Sequence, residues 1–229
     1  MTMKLSELAE SSGASASTLK HWIRVGVLPA GRLRNKTTAV YDQSHLDRAL
    51  LIRAMREEHG ASLDEVRTLT TLIDTEGTTT VEVMNACQEF IWGIPNDVAT
   101  DDAYEPFRER TYELMRRRGW RGYPGAAERG MTHALAVASE VGLDYDVERL
   151  MEYADAVEPL ATKHVAALGP GSADVIARRM LAVVTARARQ LLAISNLAHA
   201  AVSVRGAIER GDLPPQAAMP PAPEETKAS

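Results

Sequence analysis

The chain has one cysteine, Cys87, among 229 residues. A single thiol excludes an internal disulfide, and a thiolate metal cage needs several such ligands. Nothing charged stands beside Cys87 to lower its pKa, so it reads as a buried, inert thiol rather than a redox or electrophile sensor. Aromatic residues are scarce, at 5%. No uninterrupted apolar run approaches the ~18 residues of a membrane span. The opening MTMKLSELAE lacks the apolar centre of a secretory signal peptide. These absences lead to the expectation of a cytoplasmic protein with no membrane partner. His-Glu-x-x-His and Gly-rich phosphate motifs are also missing. Asp102, Glu105, Glu109, Glu113, His133 and His164 form no trustworthy ligand spacing. No catalytic residue, metal or cofactor is therefore expected, and the chain does not read as an enzyme.

What is present is an ordinary globular balance: 45% hydrophobic and 25% charged residues. The length suits one large domain or two ordinary ones. The net charge of −5 is unevenly spread. Residues 1–36 carry six basic and two acidic side chains, whereas residues 76–229 carry 16 basic and 22 acidic. A phosphate-facing head on an acidic body has this distribution, and so does chance fluctuation.

The local patterns at the front are specific. Leu5–Ser11 reads as a short helix with Ser6 as its cap, and Ser12-Gly13-Ala14 as a turn. Ser15 is a good N-cap for a second helix running to about Val25, with Gly26 and Pro29 ending it. Ala16, Leu19 and Ile23 recur at helical spacing and are expected inside, with Trp22 flanking them. Ser17, Thr18, Lys20, His21 and Arg24 remain for the outer side. Two short helices around a tight turn make a helix-turn-helix.

Residues 31–41 lose the helical period. Thr37, Thr38, Val40 and Tyr41 favour a strand, and Asn35 suits a hairpin tip. Arg32, Arg34 and Lys36 alternate, so they share one face of this wing. A solvated hairpin would alternate in the same way. Helical pattern resumes at Ser44 and ends at Gly60. Ser62 with Glu65 forms a capping box for a helix carrying Leu63, Val66, Leu69, Leu72 and Ile73. Residues 74–80 read as a hinge.

Taken in order, Lys-Leu-Ser-Glu-Leu-Ala at 4–9, Ser-Thr-Leu-Lys-His-Trp at 17–22, Arg-Val-Gly-Val-Leu-Pro at 24–29, Val-Tyr-Asp at 40–42 and Gly-Ala-Ser-Leu-Asp-Glu-Val-Arg at 60–67 carry a resemblance. Residues 3–73 resemble the DNA-binding domain of MerR-type transcription regulators. Family members commonly hold an Arg-Tyr-Tyr-Glu-like run where this chain has Lys20-His21-Trp22-Ile23, and a Gly-Tyr-Arg segment where it has Thr38-Ala39-Val40. The sensor cysteines of the metal-responsive members are missing, so the resemblance does not imply a mercury, copper or zinc sensor.

The resemblance implies a recognition helix in the major groove of double-stranded DNA. Ser17, Thr18, Lys20 and His21 then lie near bases, and Arg24, Arg32, Arg34 and Lys36 near phosphates. Tyr41 is either a backbone contact or a core ring. It also implies a homodimer on a two-fold related promoter site, RNA polymerase as a partner there, and regulation through DNA deformation.

Behind the head, residues 76–210 read as all-helical, in segments of about 79–93, 103–118, 125–142, 146–168 and 172–210. The last carries an apolar stripe of Ile176, Met180, Val183, Leu191, Ile194, Leu197 and Ala201, broken by Arg187. It is either one dimerising helix or two with a break near Ser195-Asn196. Trp92, Trp120, Tyr123 and His133 are candidate walls for a small organic effector, although rings in a helical domain are mostly core. Arg116-Arg117-Arg118 is a solvated face or an anion site. Residues 211–229 are Pro-rich and read as disordered. The expected architecture is mainly α: a winged helix-turn-helix at 1–75, a helical dimerisation and effector domain at 76–210, and a tail. The functional reading is an effector-controlled transcription regulator. The alternatives are a ligand-independent DNA-organising or protein-interaction factor, and an enzyme fused to a DNA reader.

Overall fold

The computed structural model describes residues 2–35, 38–122 and 125–214. The chain divides into two compact units, Met1–Val183 and Val184–Ser229. The first begins with α1 (Leu5–Ser12) and α2 (Ala16–Arg24), followed by β1 (Arg32–Leu33) and β2 (Ala39–Val40). The two strands pair antiparallel, Arg32 opposite Val40 and Leu33 opposite Ala39. Then come α3 (Gln43–Arg53), a π-helical turn (Ala54–Glu58) and α4 (Leu63–Asp74). The acidic body consists of α5 (Thr80–Trp92), α6 (Glu105–Arg118), α7 (Ala126–Glu140), α8 (Val147–Ala166) and α9 (Ala173–Glu209). The mainly helical architecture with one small hairpin is the expected one.

Local chemistry explains most of the boundaries. Ser15 accepts a hydrogen bond from the Thr18 amide at 3.0 Å, as an N-cap should. Ser62 and Glu65 form the expected reciprocal box, and Thr79 and Glu82 form another at the start of α5. Hydrogen bonds from Ser44 and His45 to the Asp42 carboxylate cap α3 and hold that carboxyl far below its ordinary range. Two expectations change. Ser6 lies inside α1, and Glu7 reaches back to the Lys4 amide at 2.6 Å, so the N-cap is Lys4 rather than Ser6 while the helix starts at Leu5 as expected. On α2, Trp22 is buried together with Leu19, while Ala16 is exposed. The larger ring takes the inward position and Ala14, just before the helix, fills the space at its start.

The head core joins Leu8, Leu19, Trp22, Val27, Leu51 and Ile52, all buried. A second core joins Leu114 of α6, Leu135 of α7, and Leu150 and Ala154 of α8. Phe107, Met131, Tyr145 and Met151 pack around it. Inside this body the Thr132 hydroxyl donates to that of Thr111 at 3.1 Å, which in turn donates to the Phe107 carbonyl at 2.9 Å, so neither carries an unpaired polar cost.

One buried charge ties the segments of the first unit together. Arg48 of α3 donates through Nε to Asp174 at the start of α9, and through Nη1 and Nη2 to Asp74 at the end of α4, at 3.0 and 2.5 Å. The neighbouring Asp47 accepts from Ser172, which also caps α9. Burial works to lower the Arg48 pKa, but the two carboxylates outweigh it and hold the group above its ordinary value. Burial pushes the Asp174 carboxyl upward, against the pull of Arg48. Asp74 is mostly exposed, so Asp174 carries most of the energetic consequence.

The helix α9 is continuous through Ser195-Asn196, which decides for one helix over two. In the first unit its Ala177, Met180 and Leu181 are buried. The sequence shows no uninterrupted apolar run of spanning length, yet α9 contains an 18-residue window of mean hydropathy 1.4 with none of it buried. Uncharged polar residues such as Ser195, Asn196 and His199 interrupt the run without lowering its average much. The basic run on α6 is matched by acids: Arg117 pairs with Glu113 and Glu148, and Arg118 with Asp155 and Glu158. It is therefore a neutralised face rather than a cluster awaiting an anion.

Arg48→Met leaves Asp174 without its counter-charge and is expected to cost about 3–5 kcal/mol. Adding Asp174→Leu should recover most of that loss, read from urea unfolding followed by circular dichroism. Cys87 is fully buried on α5, and burial pushes its thiol from 9.0 up to about 12. A raised thiol pKa stabilises the folded state fully below pH 9.0, and that contribution is lost as the pH climbs toward about 12. A maleimide at pH 8 should therefore label Cys87 only when urea is present.

Candidate functional site: a nucleic-acid face and an apolar cleft

Ser17, Lys20, His21 and Arg24 stand at positions i, i+3, i+4 and i+7 of α2 and so share one side of it. Ser17, Lys20 and Arg24 are exposed, and Thr18 and His21 are half-buried beside them. The hydroxyls of Ser17 and Thr18 lie 2.7 and 2.8 Å from that of Ser15, so both are partly engaged in capping. Arg24 is bonded to His21 Nδ1 at 2.9 Å, which lays the guanidinium back along the helix. Among the described residues of α2, the arrangement offers an ammonium at Lys20, midway along the helix, and a guanidinium at Arg24, its last residue.

The wing presents Arg32 and Arg34, both exposed. The Arg34 amide donates to the Thr38 carbonyl at 2.8 Å, closing the hairpin. Lys36 lies outside the described residues. Tyr41 is buried, its ring edge-on to His45 at 5.3 Å, and its backbone pairs with Met3 in both directions. The Tyr41 backbone thus ties the end of the wing to the start of the chain, while its ring packs against His45.

Two arginines absent from the sequence-based site hold this face in shape. Arg53 donates to the Ser12 carbonyl at 2.5 Å and Arg67 to the Val25 carbonyl at 3.5 Å. Each satisfies an orphan carbonyl at the end of one helix of the pair. Gly13 belongs to this arrangement: it has φ +71°, and a Cβ there would stand 2.1 Å from Arg53 Nη1. No local pattern announces such partners, which lie about forty residues away.

The body contains an apolar cleft among α5–α8. A cavity of about 390 Å³ is lined by residues including Met84, Leu114, Trp120 and Met131. A second, of about 380 Å³, shares Leu114, Trp120 and Met131 and adds Tyr145, Tyr153 and Val157. A third, of about 450 Å³, brings Trp92 and His133 to one site and shares Met131. Trp92 and His133 thus line one cavity and Trp120 the other two, with Met131 on all three, while Tyr123 lies outside the described residues. Among the described residues no group of three or more His, Cys, Asp or Glu is placed to hold a metal ion.

Residues 3–72 match the family model described as MerR HTH family regulatory protein. Residues 3–72 are a MerR-family helix-turn-helix domain. The mercuric resistance operon regulatory protein of Bacillus cereus is 30% identical over 74 residues, which are 32% of this chain and 55% of that relative. The chain thus spans about half the length of that curated relative. A crystal structure of a candidate transcriptional regulator from Streptomyces coelicolor A3(2) superposes with a TM-score of 0.64 at 21% identity. That match covers 85% of this chain and 95% of the other, so the likeness of fold extends well beyond the MerR-type domain.

Within the MerR-type domain, Gly31 sets the wing. A Cβ there would stand 2.8 Å from Tyr41 Cε1 and 2.9 Å from the Val40 carbonyl oxygen. Ring and backbone cannot both yield. Gly31→Ala is expected to destabilise the domain by about 1–3 kcal/mol, with selective loss of amide protection at Ala39–Tyr41 in hydrogen exchange.

Proposed function

We propose that this chain is a cytoplasmic transcription regulator. It binds double-stranded DNA as a homodimer and is controlled by a small organic effector held in its helical body. The reading takes residues 1–75 as the DNA reader, 76–210 as the dimerising and effector-binding body, and 211–229 as a tail. The observation that carries it is the MerR-family helix-turn-helix, with Lys20 and Arg24 exposed on the side of α2 opposite the buried Leu19 and Trp22. Lys20 donates to a base edge, guanine O6 or N7, and Arg24, Arg32, Arg34 and Lys36 meet phosphates. RNA polymerase at the promoter is the partner that the family resemblance implies.

Dimerisation rests on the second unit. Leu192, Ile194, Leu197 and Val202 are 64, 64, 71 and 57% exposed on α9. An apolar helix left bare in one chain is expected to meet its copy. The same burial explains how a helix apolar enough for a membrane stays in solution.

Gel shift against the DNA upstream of the gene, combined with light scattering, tests the reading. Lys20→Ala should cost about 1–3 kcal/mol and relax sequence preference. Arg24→Ala should weaken all sequences alike and reduce the salt slope by about one. Ile194→Glu with Leu197→Glu should give a monomer that no longer shifts a two-fold site. Absence of any shift by the unaltered protein at low salt defeats the proposal.

A further inference from the structure

We infer that the two cavities meeting at Leu114, Trp120 and Met131 take one ligand, an uncharged and mainly apolar organic molecule with a flat face set against Trp120. The inference deepens the effector reading by naming the site and the ligand chemistry. Three observations carry it.

The first is Trp120. Its side chain is 37% exposed, yet it is held from two sides. The indole N–H donates to Glu158 Oε1 at 2.8 Å, and the Arg118 guanidinium stands over the ring at 5.8 Å. Arg118 is itself fixed by Asp155 and Glu158 of α8. An exposed ring pinned by directional contacts is a preorganised wall, since its ordering has already occurred before anything binds.

The second is the charge balance. Around the cleft, Arg118 is matched by Asp155 and Glu158, and Arg129 by Glu89. The lining itself brings one cation, Arg121, and one acid, Glu128, whose carboxylate accepts from the Tyr112 hydroxyl. The second cavity has no ionisable lining apart from two tyrosines. The two lining charges of the first cavity are of opposite sign, and a ligand charge reaching the second cavity would find no counter-ion there; burying an unpaired charge is costly.

The third is size. Each cavity is about 380–390 Å³, within the range of small-molecule sites rather than that of a helix or peptide groove. Gln88, Arg121 and Glu128 line the first cavity and not the second, so polar atoms of the ligand belong at that end.

The test uses three probes of similar shape and different charge: triphenylphosphine oxide, tetraphenylphosphonium and tetraphenylborate. Equilibrium dialysis against the full chain should show the neutral probe bound at least about tenfold tighter than either ion. Trp120→Ala should weaken it by about tenfold or more, the loss of a stacked aromatic wall, while Trp120→Phe keeps most of the affinity. Met131→Trp fills the junction and should abolish binding with the circular dichroism spectrum unchanged. Equal or tighter binding of an ion, binding that survives Met131→Trp, or no binding of any probe overturns the inference. Gel shift on the same preparation separates the two proposals: loss of DNA binding with probe binding intact defeats the regulator reading alone.

Discussion

The contact between Arg48 and Asp174 is the constraint on which the first unit turns. Arg48 belongs to the helix that follows the wing, Asp174 to the first turn of the longest helix, and Asp74 to the end of the helix between head and body. A guanidinium can hold two carboxylates at once because its donors lie in a rigid fork. An apolar contact at the same place would tolerate sliding, whereas a buried ion pair does not, because a small displacement leaves charge unpaired. The placement of α3 beside the helix-turn-helix and the origin of α9 are thereby made to agree.

Around that constraint, apolar surface is distributed in three ways. In the head it is consumed by Leu8, Leu19, Trp22 and Leu51, so α2 can spend its other side on polar groups. In the body it lines a cleft that packing leaves open around Met131. Along the later part of α9 it stays exposed in the single chain. The proposed reader, receptor and assembly surface differ in what their hydrophobic residues meet, rather than in how many they have.

The helix-turn-helix was legible because its signals are local. Ser15, Gly13 and the box of Ser62 with Glu65 act within three or four residues, and a cap means the same thing wherever the rest of the chain goes. Errors arose where tertiary packing chose between local options. Ser6 is as good a cap as many, but the cap of α1 is Lys4, whose amide Glu7 takes, and the helix still starts at Leu5. Trp22 rather than Ala16 faces inward because the core had room for a ring. Tyr41, left open between backbone contact and core, is buried against His45, a neighbour the periodicity does not show.

By itself the sequence determined the elements, the basic head on an acidic body, and the family of residues 3–72, all properties carried by short stretches and their order. Tertiary structure alone decided that Arg48 meets Asp174 across 126 residues and that Arg53 and Arg67 support the carbonyl ends of α1 and α2. It also decided that Trp92 and His133 line one cavity and Trp120 two others that share Met131 with it. These depend on how helices dock, and docking is set by the sum of many weak apolar contacts that no single window of sequence contains.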